Sequence, residues 1–169
     1  MNLILSGMMG SGKTTVGIKI AERTGRSWVD TDGLIEARHG KISDIFEKYG
    51  EAHFRALERN AVQELSEKDG LIISTGGGLV LRAENVDMLK QNGKIVFLRA
   101  GLETLSKRLS ADGTRPLLQS KTESVNARIA KLLAERTPVY EQTADYVVDV
   151  DKKTADELAN EIINLIQNG

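Results

Sequence analysis

The 169-residue sequence contains no cysteine, only two prolines and 4% aromatic residues. Without cysteine, disulfides and thiolate metal sites are excluded, which fits a reducing compartment. No apolar run approaches the roughly 20 residues that a membrane-spanning helix needs. The first apolar run begins almost at Met1, so we expect neither a signal peptide nor a transit peptide. These absences predict a cytoplasmic protein.

An excess of charge of either sign is also missing. The 23 lysines and arginines nearly balance the 24 aspartates and glutamates, giving a formal net charge of −1. This balance provides no overall attraction to nucleic acid or to an anionic membrane, so we expect neither as a partner. The length and the 40% hydrophobic content are typical of one soluble globular domain spanning 1–169, which we expect to be a monomer.

Short apolar runs alternate with longer amphipathic stretches along the chain. This alternation predicts a parallel sheet wrapped by helices. Helical spacing of apolar residues follows residue 13 and recurs over 51–68 and 155–167. The irregular polar stretch 110–122 is predicted to be a mobile lid. The predicted strands are 3–5, 28–29, 71–73, 95–98 and 146–148.

The segment 7–14, GMMGSGKT, directly follows the first predicted strand and matches the P-loop pattern G-x-x-x-x-G-K-[ST]. Its glycines allow successive backbone N–H groups to face phosphate oxygens. Lys13 can then reach the β- and γ-phosphates, and the Thr14 hydroxyl can bind Mg²⁺. A helix beginning near Lys13 adds its positive N-terminal dipole. The motif therefore predicts a nucleoside triphosphate site.

Two carboxylates, Asp30 and Asp32, follow the second predicted strand. Carboxyl ends of parallel strands face the ligand crevice, so we expect both near the phosphates. One could hold Mg²⁺ through water and the other could accept a proton from an attacking hydroxyl; an ordinary helix cap is the alternative. With Gly33 the segment also matches the D-x-x-G of GTPases, but the chain has no guanine-reading N-K-x-D. A GTPase is therefore disfavoured.

Three consecutive glycines, 76–78, follow the third predicted strand. Such a run indicates either a flexible turn or a place where the backbone closely approaches another group. Arg55 lies three residues before Glu58, at helical spacing, while Arg115 and Arg136 each lie near a proline. A solvated surface position is the simplest interpretation of each arginine alone. Together with a P-loop, they suit phosphates and carboxylates through bidentate bonding.

Taken together, these segments resemble the shikimate kinase family, and the resemblance covers nearly the whole chain. The P-loop is shared by many families and is not specific by itself. The order of the remaining motifs is far more specific. They are D-T-D at 30–32, F-R-x-x-E at 54–58, the triple glycine at 76–78, R-P-L-L at 115–118 and R-x-P-x-Y at 136–140.

The resemblance implies a P-loop NTPase fold of three α/β/α layers, similar to nucleoside monophosphate kinases. Its five parallel strands would have the order 2-3-1-4-5. The single domain would contain a substrate-binding region at about 31–60 and the lid at about 110–122. The implied activity is Mg²⁺-dependent transfer of the ATP γ-phosphate to the 3-hydroxyl of shikimate.

The resemblance also assigns roles to residues. Lys13, Asp32 and Arg115 would be catalytic, and Thr14 with Asp30 would hold Mg²⁺. Contacts to ATP are implied for Gly10, Ser11, Gly12, Lys13, Thr14, Thr15, Arg108, Arg115 and Lys153. Contacts to shikimate are implied for Asp32, Arg55, Glu58, Gly76, Gly77, Gly78 and Arg136.

Two other functions remain possible from the sequence. A related P-loop kinase acting on another polyol acid, such as gluconate, would share the fold and the ATP site. A nucleotide-binding regulatory module without turnover would be expected to lack Asp32 or the lid arginine, and this chain has both.

Overall fold

The computed structural model describes residues 1–109 and 124–169. Its strands are β1 (Asn2–Ser6), β2 (Trp28–Asp30), β3 (Ile72–Ser74), β4 (Gly93–Arg99) and β5 (Tyr146–Asp149). They form one sheet with the order β2-β3-β1-β4-β5, and every neighbouring pair is parallel. The five predicted strands and the predicted 2-3-1-4-5 order are therefore confirmed.

Helices cover both faces of the sheet and complete the three α/β/α layers. A 3-10 turn, Leu79–Leu81, follows β3. No helix in residues 1–109 and 124–169 combines the length and the apolar character that crossing a bilayer requires. The α-helices are α1 (Lys13–Thr24), α2 (Thr31–His39), α3 (Ile42–Tyr49), α4 (Glu51–Ser66), α5 (Ala83–Gln91), α6 (Leu102–Leu109), α7 (Val125–Thr143) and α8 (Ala155–Asn168).

The main core lies around the central strands β1, β3 and β4. Leu3, Ile4 and Leu5 are buried, as is the whole run 95–98. These segments are continuously apolar instead of alternating because both faces of a parallel sheet are covered by helices. The final helix buries Leu158 and Ile162 against the same core, which confirms its predicted apolar face.

A second, smaller core holds α2, α3 and α4 together. Its buried members are Ile35, Ile45, Phe54 and Ala61, and the rings of Phe46 and Phe54 lie 5.0 Å apart. This cluster fixes α4 against the rest of the molecule. Apart from Ala61, these residues belong to the stretch 31–60, for which a substrate-binding role stays a prediction.

The strand order creates a crevice at the carboxyl edge of the sheet. The chain leaves β1 for β2 on one side, returns through β3, and then crosses to β4 on the other side of β1. In open α/β sheets, ligands bind where the strand order reverses in this way. The P-loop follows β1, the D-T-D motif begins at the end of β2, and the triple glycine follows β3. All three motifs therefore meet at one edge.

A chain of hydrogen bonds ties α1 to this edge. The indole N–H of Trp28 donates to the Ser74 hydroxyl (3.0 Å), which donates to the Lys13 carbonyl (2.9 Å). Gly17 faces the first of these bonds. A Cβ there would lie 2.7 Å from Trp28 Nε1 and 2.8 Å from Ser74 Oγ. Glycine is therefore required at position 17 for space.

We expect Gly17→Ala to destabilise the protein. Overpacking costs about 1–3 kcal/mol, whereas alanine gains only about 1 kcal/mol over glycine in a helix. Gly33→Ala is the matched control, because a Cβ on that helical glycine would meet its nearest atom at 3.6 Å. Urea unfolding followed by circular dichroism should show a loss for Gly17→Ala alone. A Gly17→Ala protein as stable as the parent would contradict the proposed steric limit.

Candidate active site

The P-loop turns sharply between β1 and α1 because three of its glycines adopt positive φ angles. These are 140° at Gly7, 82° at Gly10 and 97° at Gly12, a region that other residues rarely occupy. A Cβ on Gly7 would also lie 2.7 Å from the Leu98 carbonyl oxygen. Gly12 is the N-cap residue of α1, and no side chain of the described residues caps the start of this helix. The first N–H groups of α1 can therefore serve an anion.

Lys13 and Thr14 begin α1 and stand on the two sides of the loop mouth. The Lys13 ammonium donates to the carbonyls of Gly7 (2.7 Å) and Met8 (2.8 Å), so it lies over the loop. The Thr14 hydroxyl donates to the Asp30 carboxylate at 3.3 Å. The Lys13 ammonium and the Thr14–Asp30 pair therefore both border the space over the P-loop.

The two carboxylate oxygens of Asp30 accept different hydrogen bonds. One accepts from the Gly33 N–H at 2.9 Å and caps α2, while the other accepts from Thr14. The capping interpretation is therefore correct, and it does not compete with metal binding. Hydroxyl and carboxylate oxygens are suitable ligands for Mg²⁺. Residues 1–109 and 124–169 contain no cluster of three or more His, Cys, Asp or Glu side chains able to hold a metal. A metal here would depend on phosphate and water oxygens as well.

Gly76, the first of the three glycines after β3, packs against the carboxylates. A Cβ on it would lie 2.6 Å from Asp32 Oδ1 and 3.2 Å from Glu58 Oε1. Its N–H donates to the buried Thr31 hydroxyl at 2.9 Å. The carboxylates of α2 and α4 thus approach the backbone as closely as they do because this residue has no side chain.

Gly77 and Gly78 pack against two arginines. A Cβ on Gly77 would lie 3.1 Å from Arg136 Nη1, and one on Gly78 would lie 2.6 Å from both terminal nitrogens of Arg55. Neither glycine has a positive φ, so the requirement is space and not backbone conformation. Of the two interpretations left open by the sequence, close approach of other groups is the correct one.

Arg55 is held by carboxylates of its own helix. Its guanidinium donates to Glu58 at 2.7 Å and to Glu51 at 3.2 Å, and it also lies over the Phe54 ring. Burial works to lower the pKa of Arg55, but the two carboxylates outweigh it and the pKa is raised. Burial also raises the pKa of the Glu58 carboxyl, and Arg55 opposes that shift only in part. The charge of Arg55 is therefore balanced inside the protein.

Arg136 has a different environment. It lies on α7, 7% exposed, and its buried Nη1 has no hydrogen-bond partner among residues 1–109 and 124–169. A buried donor of a charged group costs free energy unless an acceptor meets it. Because Nη1 lies beside Gly77, it indicates an anion site between Arg136 and the triple glycine.

Arg108 and Lys153 also line the cleft. Arg108 Nη1 donates to the Gly10 carbonyl at 2.9 Å, so its guanidinium covers the P-loop. Lys153 pairs with Glu161 at 2.7 Å. The turn before Lys153 is fixed to α6 by Asp151, which accepts from the Gly101 N–H and the Thr104 hydroxyl.

One cleft of about 1250 Å³ connects these groups. Every predicted site residue within the described part of the chain lines it, although the individual roles stay predictions. Arg115 and the predicted lid 110–122 lie outside the described residues. The lining residues with predicted roles are Gly10, Ser11, Gly12, Lys13, Thr14, Thr15, Asp30, Asp32, Arg55, Glu58, Gly76, Gly77, Gly78, Arg108, Arg136 and Lys153.

Known proteins are similar to this chain over nearly its whole length. A family model described as shikimate kinase matches residues 9–167. The chain belongs to the shikimate kinase family. A shikimate kinase of Caldanaerobacter subterraneus subsp. tengcongensis is 44% identical over 163 residues, covering 96% of this chain and 94% of the relative. One from Sulfurihydrogenibium sp. is 42% identical over 167 residues, 98% of each chain.

A solved structure supports the same membership. The shikimate kinase from Acinetobacter baumannii, in complex with shikimate, has a TM-score of 0.93 and 39% identity, covering 99% of this chain and 93% of that one. The expected resemblance to shikimate kinases and the expected nucleoside monophosphate kinase-like fold are both confirmed.

Sequence reasoning missed several residues that shape this shikimate kinase site. Ser74 stands where many P-loop proteins have an acidic residue, and its bond to Lys13 was not foreseen. Thr31 and Tyr140 hold the first two residues of the triple glycine, at the Gly76 N–H and the Gly77 carbonyl. Tyr140 ends the R-x-P-x-Y motif and lies on the same helical face as Arg136, but the motif alone assigned it no role.

The two arginines should differ in their effect on stability. Arg55→Met leaves the buried Glu58 without its main counter-charge, so the free energy of unfolding should fall by about 3 kcal/mol or more. Arg136→Met removes an Nη1 donor that meets no acceptor in the described residues, together with a side-chain interaction with Tyr140, so the free energy of unfolding should fall by about 1 kcal/mol or less. Urea unfolding without substrates measures both. An equal loss in both variants would mean that Arg136 is part of the structural framework.

Proposed function

We propose that this protein transfers the γ-phosphate of ATP to the 3-hydroxyl of shikimate, giving shikimate 3-phosphate for aromatic amino acid biosynthesis. The observation that carries the proposal is the acceptor clamp, formed by Arg55, Arg136 and Gly77. Its guanidinium groups approach the triple glycine, and Arg136 presents a buried donor there. Two such cations placed close together favour an anion between them, and a carboxylate matches their planar geometry. Membership of the shikimate kinase family supports this assignment.

On the nucleotide side, the P-loop residues bind the triphosphate. Backbone N–H groups at the start of α1 face phosphate oxygens, and the Lys13 ammonium neutralises charge on the β- and γ-phosphates. Arg108 and Lys153, which also line the cleft, are assigned to the adenine on the family resemblance. Phosphoryl transfer depends on charge neutralisation and alignment more than on covalent chemistry, and these groups supply both.

Thr14 and Asp30 are the residues that would hold Mg²⁺. Their oxygens lie 3.3 Å apart at the mouth of the P-loop, and Mg²⁺ usually takes few protein ligands in addition to phosphate and water oxygens. Mg²⁺ bound there with ATP would neutralise negative charge on the phosphates. The family resemblance implies that Asp30 would contribute through water, while one of its oxygens caps α2.

Asp32 is the carboxylate that acts on the acceptor. It lies beside Glu58 and Gly76, the glycine that precedes the Gly77 of the clamp, and it lines the same cleft as the nucleotide residues. From there it accepts a hydrogen bond from the attacking hydroxyl and directs the hydroxyl oxygen at the γ-phosphorus. A loose transition state does not require the proton to leave first, so orientation alone already assists the reaction. Arg115, from 110–122, is assigned to the phosphates on the family resemblance.

We also propose that the protein works as a single-domain monomer in the cytoplasm, without nucleic acid or membrane partners. The near-neutral net charge and the absence of cysteine support this.

A coupled ADP-release assay tests the proposed function directly. Purified protein is supplied with ATP, Mg²⁺ and either shikimate, gluconate or no acceptor. We expect ADP release that depends on shikimate. Faster turnover with gluconate would favour the polyol-acid kinase, and release that no acceptor stimulates would favour a regulatory module.

Arg136→Lys tests the clamp separately from the shared ATP site. Lysine keeps the charge but loses the planar fork, so kcat/KM for shikimate should fall about ten- to a hundredfold, the effect of losing one charge-assisted hydrogen bond. ATP affinity measured without acceptor should change little. A shikimate analogue without its carboxylate should be a poor substrate of the parent protein; phosphorylation as fast as that of shikimate would refute the clamp.

The two aspartates should be separable by Mg²⁺. Asparagine at position 30 keeps a helix-capping side chain but weakens metal binding, so raising Mg²⁺ should restore part of the turnover. Asp32→Asn should lose turnover with ATP binding nearly unchanged, and added Mg²⁺ should not restore it. Steady-state rates over a Mg²⁺ series decide this. Restoration of Asp32→Asn instead would mean that the roles are reversed.

A further inference from the structure

One hydrogen bond at the acceptor clamp has no role in the function proposed above. The phenol hydroxyl of Tyr140 donates to the Gly77 carbonyl at 2.6 Å. Tyr140 is fully buried on α7, and its ring lies 5.0 Å from that of Phe97 on β4. The packing of the ring therefore holds the hydroxyl in a fixed position relative to the sheet.

Tyr140 and Arg136 reach the same glycine from one helix face. They are four residues apart on α7, which places their side chains next to each other. A Cβ on Gly77 would lie 3.1 Å from Arg136 Nη1 and 3.6 Å from the Tyr140 hydroxyl oxygen. Burial is the main cause that raises the pKa of Tyr140, and Arg136 opposes it. The phenol thus stays protonated and able to donate.

The contact fixes more than one atom. The peptide between Gly77 and Gly78 is trans, so its C=O and N–H point in opposite directions. Holding the Gly77 carbonyl therefore also sets the direction of the Gly78 N–H, and Gly78 is the glycine in contact with Arg55. The neighbouring carbonyls of Gly76 and Gly78 accept from the N–H groups of Leu79 and Leu81, so Tyr140 supplies the bond that holds the carbonyl between them.

We propose that Tyr140 is a positioning residue of the acceptor site, which orients the Gly77–Gly78 peptide between Arg136 and Arg55. The inference rests on the proposed function, because it concerns recognition of the acceptor carboxylate. Tyr140 contacts the Gly77 carbonyl and the Arg136 side chain, and not the reacting atoms. Its contribution is therefore to the affinity for the carboxylate and not to the transfer step itself.

Tyr140→Phe tests the proposal because it removes only the hydroxyl and keeps the ring against Phe97. KM for shikimate should rise about five- to tenfold, the effect of one ordinary hydrogen bond, while kcat and KM for ATP stay within about twofold. Tyr146→Phe is the matched control. It removes the same hydroxyl from β5, outside the residues that line the cleft, and should leave all three constants unchanged.

A shikimate analogue without the carboxylate separates positioning from general loosening. If Tyr140 acts through the clamp, parent and Tyr140→Phe should have nearly equal kcat/KM with this analogue. An equal penalty with shikimate and with the analogue, or a parallel rise in KM for ATP, would overturn the proposal. An active parent with an unaffected Tyr140→Phe would overturn this inference alone. A parent inactive on shikimate would overturn the proposed function and the inference with it.

Discussion

The whole site depends on a stretch of backbone that carries no side chains. At positions 76–78, four charged groups approach within distances that a Cβ would prevent, and they come from α2, α4 and α7. A side chain at any of these positions would push the charged ends away from their present places. The spacing of these charges therefore depends on the absence of side chains directly after β3. Changes of acceptor specificity would have to come from the surrounding helices.

The two arginines beside this backbone differ in how far protein groups balance their charges. Arg55 is neutralised by Glu58 and Glu51, so it can remain buried at moderate cost. Arg136 has a buried donor without a partner in the described residues. If protein groups accepted hydrogen bonds from every donor of both arginines, the protein would be more stable, but fewer donors would remain for an anion. Binding sites commonly retain such unsatisfied groups at some cost in stability.

The fold was predictable because its signals are local. Buried parallel strands are short apolar runs, and a P-loop between a strand and a helix is written in consecutive residues. Contacts between distant elements were not predictable from spacing. The bond from Ser74 to Lys13 joins two elements 61 residues apart. From the sequence, helix capping and metal binding were alternative roles for Asp30. In the structure its two carboxylate oxygens have different partners, because one accepts from the Gly33 N–H and the other from the Thr14 hydroxyl.

The indole of Trp28 gives the molecule an optical property of its own. It is the single tryptophan of the chain, it is half-buried at the cleft wall, and its N–H is bonded to Ser74. Ser74 in turn holds the Lys13 carbonyl, at the first turn of the nucleotide-binding helix. The ultraviolet emission of the protein therefore comes mainly from one fluorophore, two hydrogen bonds away from the phosphate site. Occupancy of the cleft can be followed by intrinsic fluorescence without attaching a dye.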